Sequence, residues 1–455
     1  MKGKTGLSEK LKNEEIFLAI PILLFFISPI VRLVANIIAY ARQGFVKIGY
    51  TLSIEYTNTI LAVITVSLFS VLYYFDLGFK KNKPRFEREI VKKAIKRDLP
   101  LVLFAVYFVW MILCTCVNGF TDLSINGDYY RGEGFYYYFA CIFIFFTSAM
   151  FLQNEKIRDI LIRILLDSSV ILGILAFADF FFGPFYIFSP YNQKESLSSV
   201  FYNSNYYGYY LTIVILISTG LYLKSVSKKT EKFYLGFFIF NTSVLIINLT
   251  RGGYIAVLFT LLGTVFFMKK YGSRFRKKAV LLLVIFLIET FVFSFICDTL
   301  ISQLLQIVFD VLNIMRNPKG ADDAGSERWL LWKCTFKLIK ERPLFGYGNE
   351  GIHRFLPMLS ETHKTRPHNE YLQIAAFWGL PGLFIYLAST LTVIIRTYKI
   401  YDRLTPVSFA CLLASIGYMG SSFFGNSMCF TTPFFYIMMG MAYSEWRKIN
   451  KKAST

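Results

Sequence analysis

Apolar residues recur in long runs from Ile16 to Ala442, broken by short polar stretches. An α-helix needs roughly 20 predominantly apolar residues to cross the hydrocarbon core of a bilayer. On that criterion the pattern predicts about twelve spans, near 16–40, 52–76, 99–118, 134–152, 159–182, 205–223, 233–250, 253–268, 279–297, 368–396, 405–424 and 432–447. The predicted fold class is all-α: a polytopic membrane protein with an extracytoplasmic helical cap. Spans 1–9 fall in 1–297, a loop domain with short interfacial helices in 298–367, and spans 10–12 with a cytoplasmic tail in 368–455.

The connections set the expected orientation. Residues 80–97, 224–232, 269–278, 396–403 and 446–452 are rich in Lys and Arg, as cytoplasmic loops are. Placing all of them inside puts both termini in the cytoplasm and makes the span count even. The formal charge of +20 therefore points to membrane topology and away from nucleic acid. The seven Cys are scattered and mostly lie inside spans, so they read as small apolar residues, with neither a disulfide framework nor a zinc site.

The long outer segment 298–367 has a pattern of its own. Within 303–315, Leu304, Val308, Val311, Leu312 and Met315 share a helical face. Residues 326–343 predict a second helix, capped by Ser326 and ended by Pro343, with Trp329, Trp332, Phe336 and Ile339 on a face suited to the lipid interface. The stretch 346–351, GYGNEG, predicts a turn. Ten basic and eight acidic residues, Asp310 among them, are spread through the segment, and most read as a solvated surface of mixed charge.

A few polar residues stand out from this background. Arg251 lies with Gly252 and Gly253 between two apolar runs, at what the topology makes an outer turn. An arginine at the hydrocarbon edge is costly unless it snorkels or holds an anion, and guanidinium binds phosphate in bidentate fashion. The glycine pair would allow a sharp turn and close approach of a ligand. Arg131 with Glu133, and Asn203 with Asn205, reach the outer ends of two other spans beside tyrosine clusters. These tyrosines fit an aromatic belt as well as a sugar-stacking surface. The three histidines, His353, His363 and His368, all lie in or beside the outer segment. Their spacing matches no metalloprotease motif. His353 and His363 read as exposed or capping residues, whereas a neutral His368 could take a proton from a hydroxyl.

In order along the chain stand T-R-G-G (250–253), R-W (328–329), P-L-F-G-Y-G (343–348), P-H-N-E-Y-L (367–372) and G-L-P-G-L (379–383). This series resembles the O-antigen ligase and O-antigen polymerase family, in which H-N-x-x-L followed by G-L-x-G comes after a large outer loop. The resemblance covers most of the chain. It implies a GT-C-like enzyme of the bacterial cytoplasmic membrane that moves a glycan from an undecaprenyl diphosphate carrier to an acceptor sugar hydroxyl, inverting the anomeric centre. Carried onto this chain, His368 is the base and Arg251 and Arg328 hold the diphosphate. Arg342 and Arg366 compete with Arg328 for the second position, and Arg131, Asn205 and Asn369 are further substrate-contact candidates. No cofactor or metal is implied, because fixed guanidiniums can stabilise a diphosphate leaving group. The implied partners are the lipid-linked donor, the glycan acceptor, membrane lipid and a chain-length regulator.

Three functions stay open at this level. A polymerase would extend capsule, exopolysaccharide or O-antigen repeats, and a ligase would move finished glycan to another acceptor. A flippase of lipid-linked sugar would also fit the span count, although the mid-span acids are few (Asp167, Asp179, Glu289). The asymmetry favours an enzyme working from one face, and within the family the polymerase is the preferred reading.

Overall fold

The computed structural model describes residues 19–20, 22–38, 65, 98–128, 131–183, 197–267, 272–297 and 299–452. The predicted span near 52–76 lies outside these residues except for residue 65, and so does the whole of the loop at 80–97. Among the described residues the secondary structure is helical, with no strand. The helices are α1 (Ile22–Ile38), α2 (Leu99–Asn118), α3 (Asp122–Asn126), α4 (Phe135–Phe151), α5 (Glu155–Phe182), α6 (Ser204–Lys224), α7 (Lys228–Asn248) and α8 (Arg251–Phe267). They continue with α9 (Gly272–Phe293), α10 (Thr299–Arg316), α11 (Arg328–Glu341), α12 (Phe355–Ser360), α13 (Glu370–Tyr398), α14 (Pro406–Ser421) and α15 (Thr432–Lys452). Seven helices among the described residues are long and apolar enough to cross a membrane: α2, α5, α6, α7, α10, α13 and Pro406–Phe424. Helices α1, α4 and α8 are apolar but shorter.

Polar contacts at the two ends of the bundle show how the helices alternate in direction. At one end, Arg447 Nε meets Asp98 Oδ1 at 3.0 Å, Arg158 Nη2 meets Glu445 Oε2 at 2.6 Å and Lys278 Nζ meets Glu231 Oε1 at 2.8 Å. Lys224 Nζ donates there to the Leu404 carbonyl at 2.9 Å. At the other end, Thr250 Oγ1 donates to the Ser204 carbonyl at 3.0 Å and Ser422 Oγ to Glu370 Oε2 at 2.8 Å. Asn118 Nδ2 reaches the Phe345 carbonyl at 3.4 Å at this same end. The long connection 298–367 and the starts of α6, α8 and α13 gather here.

Helix α6 forms the centre. Its apolar surface is buried all round, against α14, α7 and α8, as expected for a helix without a polar face. Helix α10 meets the length and composition of a span, yet Leu300 is its one buried residue. Its mid-length residue Asp310 bonds to Arg251 and to the Gly325 amide at the second end of the bundle. That tie places α10 along this end, with Ile301, Leu305, Val308, Phe309 and Met315 exposed. This is the one-faced helix the 303–315 pattern predicts.

Helix α13 is broken at Trp378 and Gly379, where Gly379 has φ 70° and ψ 177°. Pro381 removes an amide donor just beyond, so the carbonyls of the preceding turn need partners from elsewhere. They find them in the 343–348 turn: Tyr347 N donates to Ala376 O and Gly348 N to Phe377 O, both at 2.9 Å. Trp110 Nε1 donates to Trp378 O at 2.9 Å, and Leu380 N returns a bond to Pro343 O at 2.8 Å. A Cβ at Gly346 would stand 2.6 Å from Ala376 O, and one at Gly379 would stand 1.9 Å from Leu344 O. The P-L-F-G-Y-G and G-L-P-G-L motifs are thus two halves of one backbone joint.

Candidate active site

The turn between α7 and α8 delivers Arg251. Leu249, at φ 58°, makes the turn, so the glycine pair does not serve as expected from the sequence. Gly252 and Gly253 lie buried in the first turn of α8, packed against Phe424 and Leu245. Arg251 Nη1 meets Asp310 Oδ2 at 3.3 Å and Nη2 donates to Ser326 Oγ at 2.7 Å.

Helix α11 begins at Arg328, two residues later than the predicted cap at Ser326. Ser326 and Glu327 both have positive φ, and no side chain caps the helix. This strained entry turns Arg328 inward. Its Nη1 donates to Gly325 O at 3.2 Å, while its Nε is buried with no hydrogen-bond partner. Trp332 Nε1 donates to Pro367 O at 3.0 Å, tying α11 to the residue before the histidine. Phe336 is exposed but Ile339 is buried, so only part of the predicted aromatic face is open to lipid.

His368 is held at φ 51°, immediately before the N-cap of α13. Its Nδ1 lies 3.4 Å from Asn426 Nδ2. Burial and the neighbouring positive charges of Arg328, Arg131, Lys364 and Arg366 push its pKa down to about 3, so the ring is neutral at pH 7. Arg251, Arg328, His368 and Asn205 all line one cavity of about 380 Å³, together with Ser204, Thr250, Gln303, Ser326 and Lys364.

The remaining candidates are placed elsewhere. Arg366 is fully buried and donates Nη1 to Glu133 and Nη2 to Glu350. Two carboxylates thus occupy its fork, and it does not line the cavity. Arg131 adds positive charge near Glu350 and His368 but does not line the cavity. Arg342 is exposed, bonds Asn118 Oδ1 at 3.3 Å and covers the Tyr347 ring at 4.7 Å, away from the cavity. Asn369 is the N-cap of α13, its side chain accepting from Leu372 N at 3.0 Å, so its demonstrable work is structural. His353 faces Asp128 at 3.8 Å and His363 is exposed, so the three histidines do not converge. Among the described residues no group of three or more His, Cys, Asp or Glu could hold a metal ion.

The Glu133–Arg366–Glu350 group joins the loop before α4 to the segment ending at His368. Removing one member of a buried ion pair strands the others, at a cost of about 3–5 kcal/mol. Arg366→Met is therefore expected to lower the thermal unfolding midpoint in detergent clearly. Adding Glu133→Gln and Glu350→Gln should restore much of the loss; a single variant as stable as wild type would contradict the assignment.

Sequence reasoning missed Asp310 beside Arg251, Lys364 at the cavity and the pairing of Arg366 with buried acids. One signal was available for Asp310, which is the single acidic residue in α10. Nothing in the sequence paired Arg366 with its acids, Glu133 lying 233 positions away and Glu350 16.

Helical hairpins alternating through an apolar bundle are the architecture of a multi-pass membrane protein, and this one has a cationic cavity at one end. Residues 236–387 match the family model described as O-Antigen ligase, which supports assigning the chain to the O-antigen ligase and polymerase family. The matched segment runs from within α7 to within α13 and contains Arg251, Arg328 and His368. No curated protein matches the chain.

Proposed function

We propose that this protein is a glycosyltransferase of the bacterial cytoplasmic membrane that joins glycan from a polyprenyl diphosphate carrier to an acceptor sugar hydroxyl at the outer face. The observation that carries this reading is the convergence of Arg251, Arg328 and His368 on one cavity. The acceptor oxygen attacks the anomeric carbon from the face opposite the diphosphate and passes its proton to His368. The glycosyl C–O bond breaks, the electron pair leaves on the diphosphate, and the anomeric configuration inverts. Arg251 and Arg328 stabilise the charge that develops on the leaving group, as divalent ions do in other transferases. Asn426 bears on the histidine tautomer: as placed, its Nδ2 faces Nδ1, whereas the amide turned over would bring Oδ1, which otherwise has no partner, to Nδ1–H and leave Nε2 bare to accept a proton.

In this reading 298–367 is an extracytoplasmic helical cap between spans 1–9 and spans 10–12, and both termini are cytoplasmic. The preferred activity is polymerisation of capsule, exopolysaccharide or O-antigen repeats, with a chain-length regulator as partner. The description of the matching family favours a ligase as the second reading. A transporter fits less well, because Arg251, Arg328 and Lys364 gather at one cavity and Glu289, near the end of α9, accepts from Ser243 Oγ at 2.9 Å.

The test is purified protein in lipid or detergent with undecaprenyl diphosphate oligosaccharide and a chelator, the products being separated by size. A ladder of longer lipid-linked glycans supports the metal-independent polymerase. Carrier diphosphate released only when a different acceptor is supplied supports the ligase. Lipid movement between leaflets without turnover overturns the enzyme reading.

A further inference from the structure

The cavity's positive charges are met by acids from the same outer stretch of chain. Asp310 faces Arg251, and Glu327 Oε2 lies 2.8 Å from Lys364 Nζ. The Arg251–Asp310 contact is single and 3.3 Å long, against roughly 2.7–2.9 Å for a well-made charge-assisted bond. Asp310 Oδ2 also accepts from Gly325 N at 3.0 Å, and Oδ1 accepts from Gln306 Nε2 at 2.8 Å. The helix that carries Asp310 buries only Leu300, so little packing opposes its displacement. Burial and, after it, the charge of Arg251 disfavour the charge on Arg328, and Asp310 offsets part of that.

We propose that Asp310 is a resident counter-anion of the diphosphate subsite, occupying Arg251 while the site is empty and yielding it to the donor. The inference rests on Arg251 being a diphosphate ligand. A carboxylate relieves the repulsion among the cavity's cations, and a diphosphate relieves it better, having more charge and more acceptor oxygens. Asp310 thereby sets a threshold: an anion no stronger than a carboxylate gains little by entering, whereas a diphosphate displaces the acid.

The experiment is calorimetric binding of farnesyl diphosphate to the full-length protein in nanodiscs, for wild type, Asp310→Asn, Arg251→Ala and the double variant. Asparagine keeps an acceptor for Gly325 N while removing the charge. Asp310→Asn is expected to bind about five-fold tighter, the equivalent of one partly exposed ion pair. The gain should vanish in the double variant, and the donor KM should fall without a rise in kcat. Asp310→Ser gives a second arm should the asparagine variant fold poorly. Equal or weaker binding by both Asp310 variants, with Arg251→Ala still losing the probe, overturns the inference and makes Asp310 a positioning residue for Arg251. Undiminished binding by Arg251→Ala overturns the diphosphate reading itself.

Discussion

His368→Gln is expected to lower turnover about 10²- to 10⁴-fold, the range in which a positioned general base acts, with donor affinity nearly unchanged. Glutamine fills similar space and keeps a polar contact to Asn426, so the variant removes basicity more than shape. The pH profile carries further information. In the empty site the pKa of about 3 makes His368 neutral but a weak base. Burial, the larger cause of that shift, stays, but a bound diphosphate would offset the field of Arg328, Arg131 and Lys364 and so raise the ring's pKa. The acid limb of kcat should therefore lie at higher pH than the acid limb of kcat/KM, which should be flat down to about pH 4. Initial rates across pH, with donor at saturating and at low concentration, decide this. Coincident limbs, or a His368→Gln variant with near-normal kcat, would remove the histidine from the proton path.

Arg251→Ala is expected to reduce kcat/KM for the donor about 10²- to 10³-fold, as loss of one preorganised donor to a developing anion does. Ground-state binding should fall as well, because the guanidinium meets the diphosphate before and during bond cleavage. Arg251→Lys should recover only part of the activity, since an ammonium cannot reproduce the planar fork. The folding of these variants should stay near wild type, because Asp310 keeps its hydrogen bonds from Gly325 N and Gln306 Nε2 once the guanidinium is gone. Arg328→Ala should follow the same pattern. An Arg251→Ala enzyme with an unchanged donor KM and kcat would place the diphosphate elsewhere.

Much of this architecture could be read from the chain, for definite physical reasons. Apolar runs report helices buried in lipid or protein, and Lys- and Arg-rich connections report which helix ends lie together. Arg251 was conspicuous because so few charges interrupt the apolar runs. His368 was conspicuous because histidine is scarce here. Arg366 looked equally available, since sequence carries no sign of which cation is already held by carboxylates folded back from elsewhere. The cap at Ser326 failed because Gly325, Ser326 and Glu327 are all turned into positive φ, leaving no hydroxyl over the first turn of α11. The same distortion is what points Arg328 into the cavity. Asp310 was taken for surface charge because its partner, Arg251, is distant in sequence.

The joint between the 343–348 turn and the broken helix α13 bears on how such proteins can be recombined. Long connecting segments are the natural pieces to exchange between relatives when a different glycan is wanted. A crossover placed between residues 348 and 376 would unite a turn from one parent with a break from another. The Gly346 and Gly379 approaches and the carbonyls of Ala376 and Phe377 then have to match by chance. Chimeras whose junctions fall before residue 343 and after residue 380 carry the pair intact and should yield folded protein far more often than those cut between them.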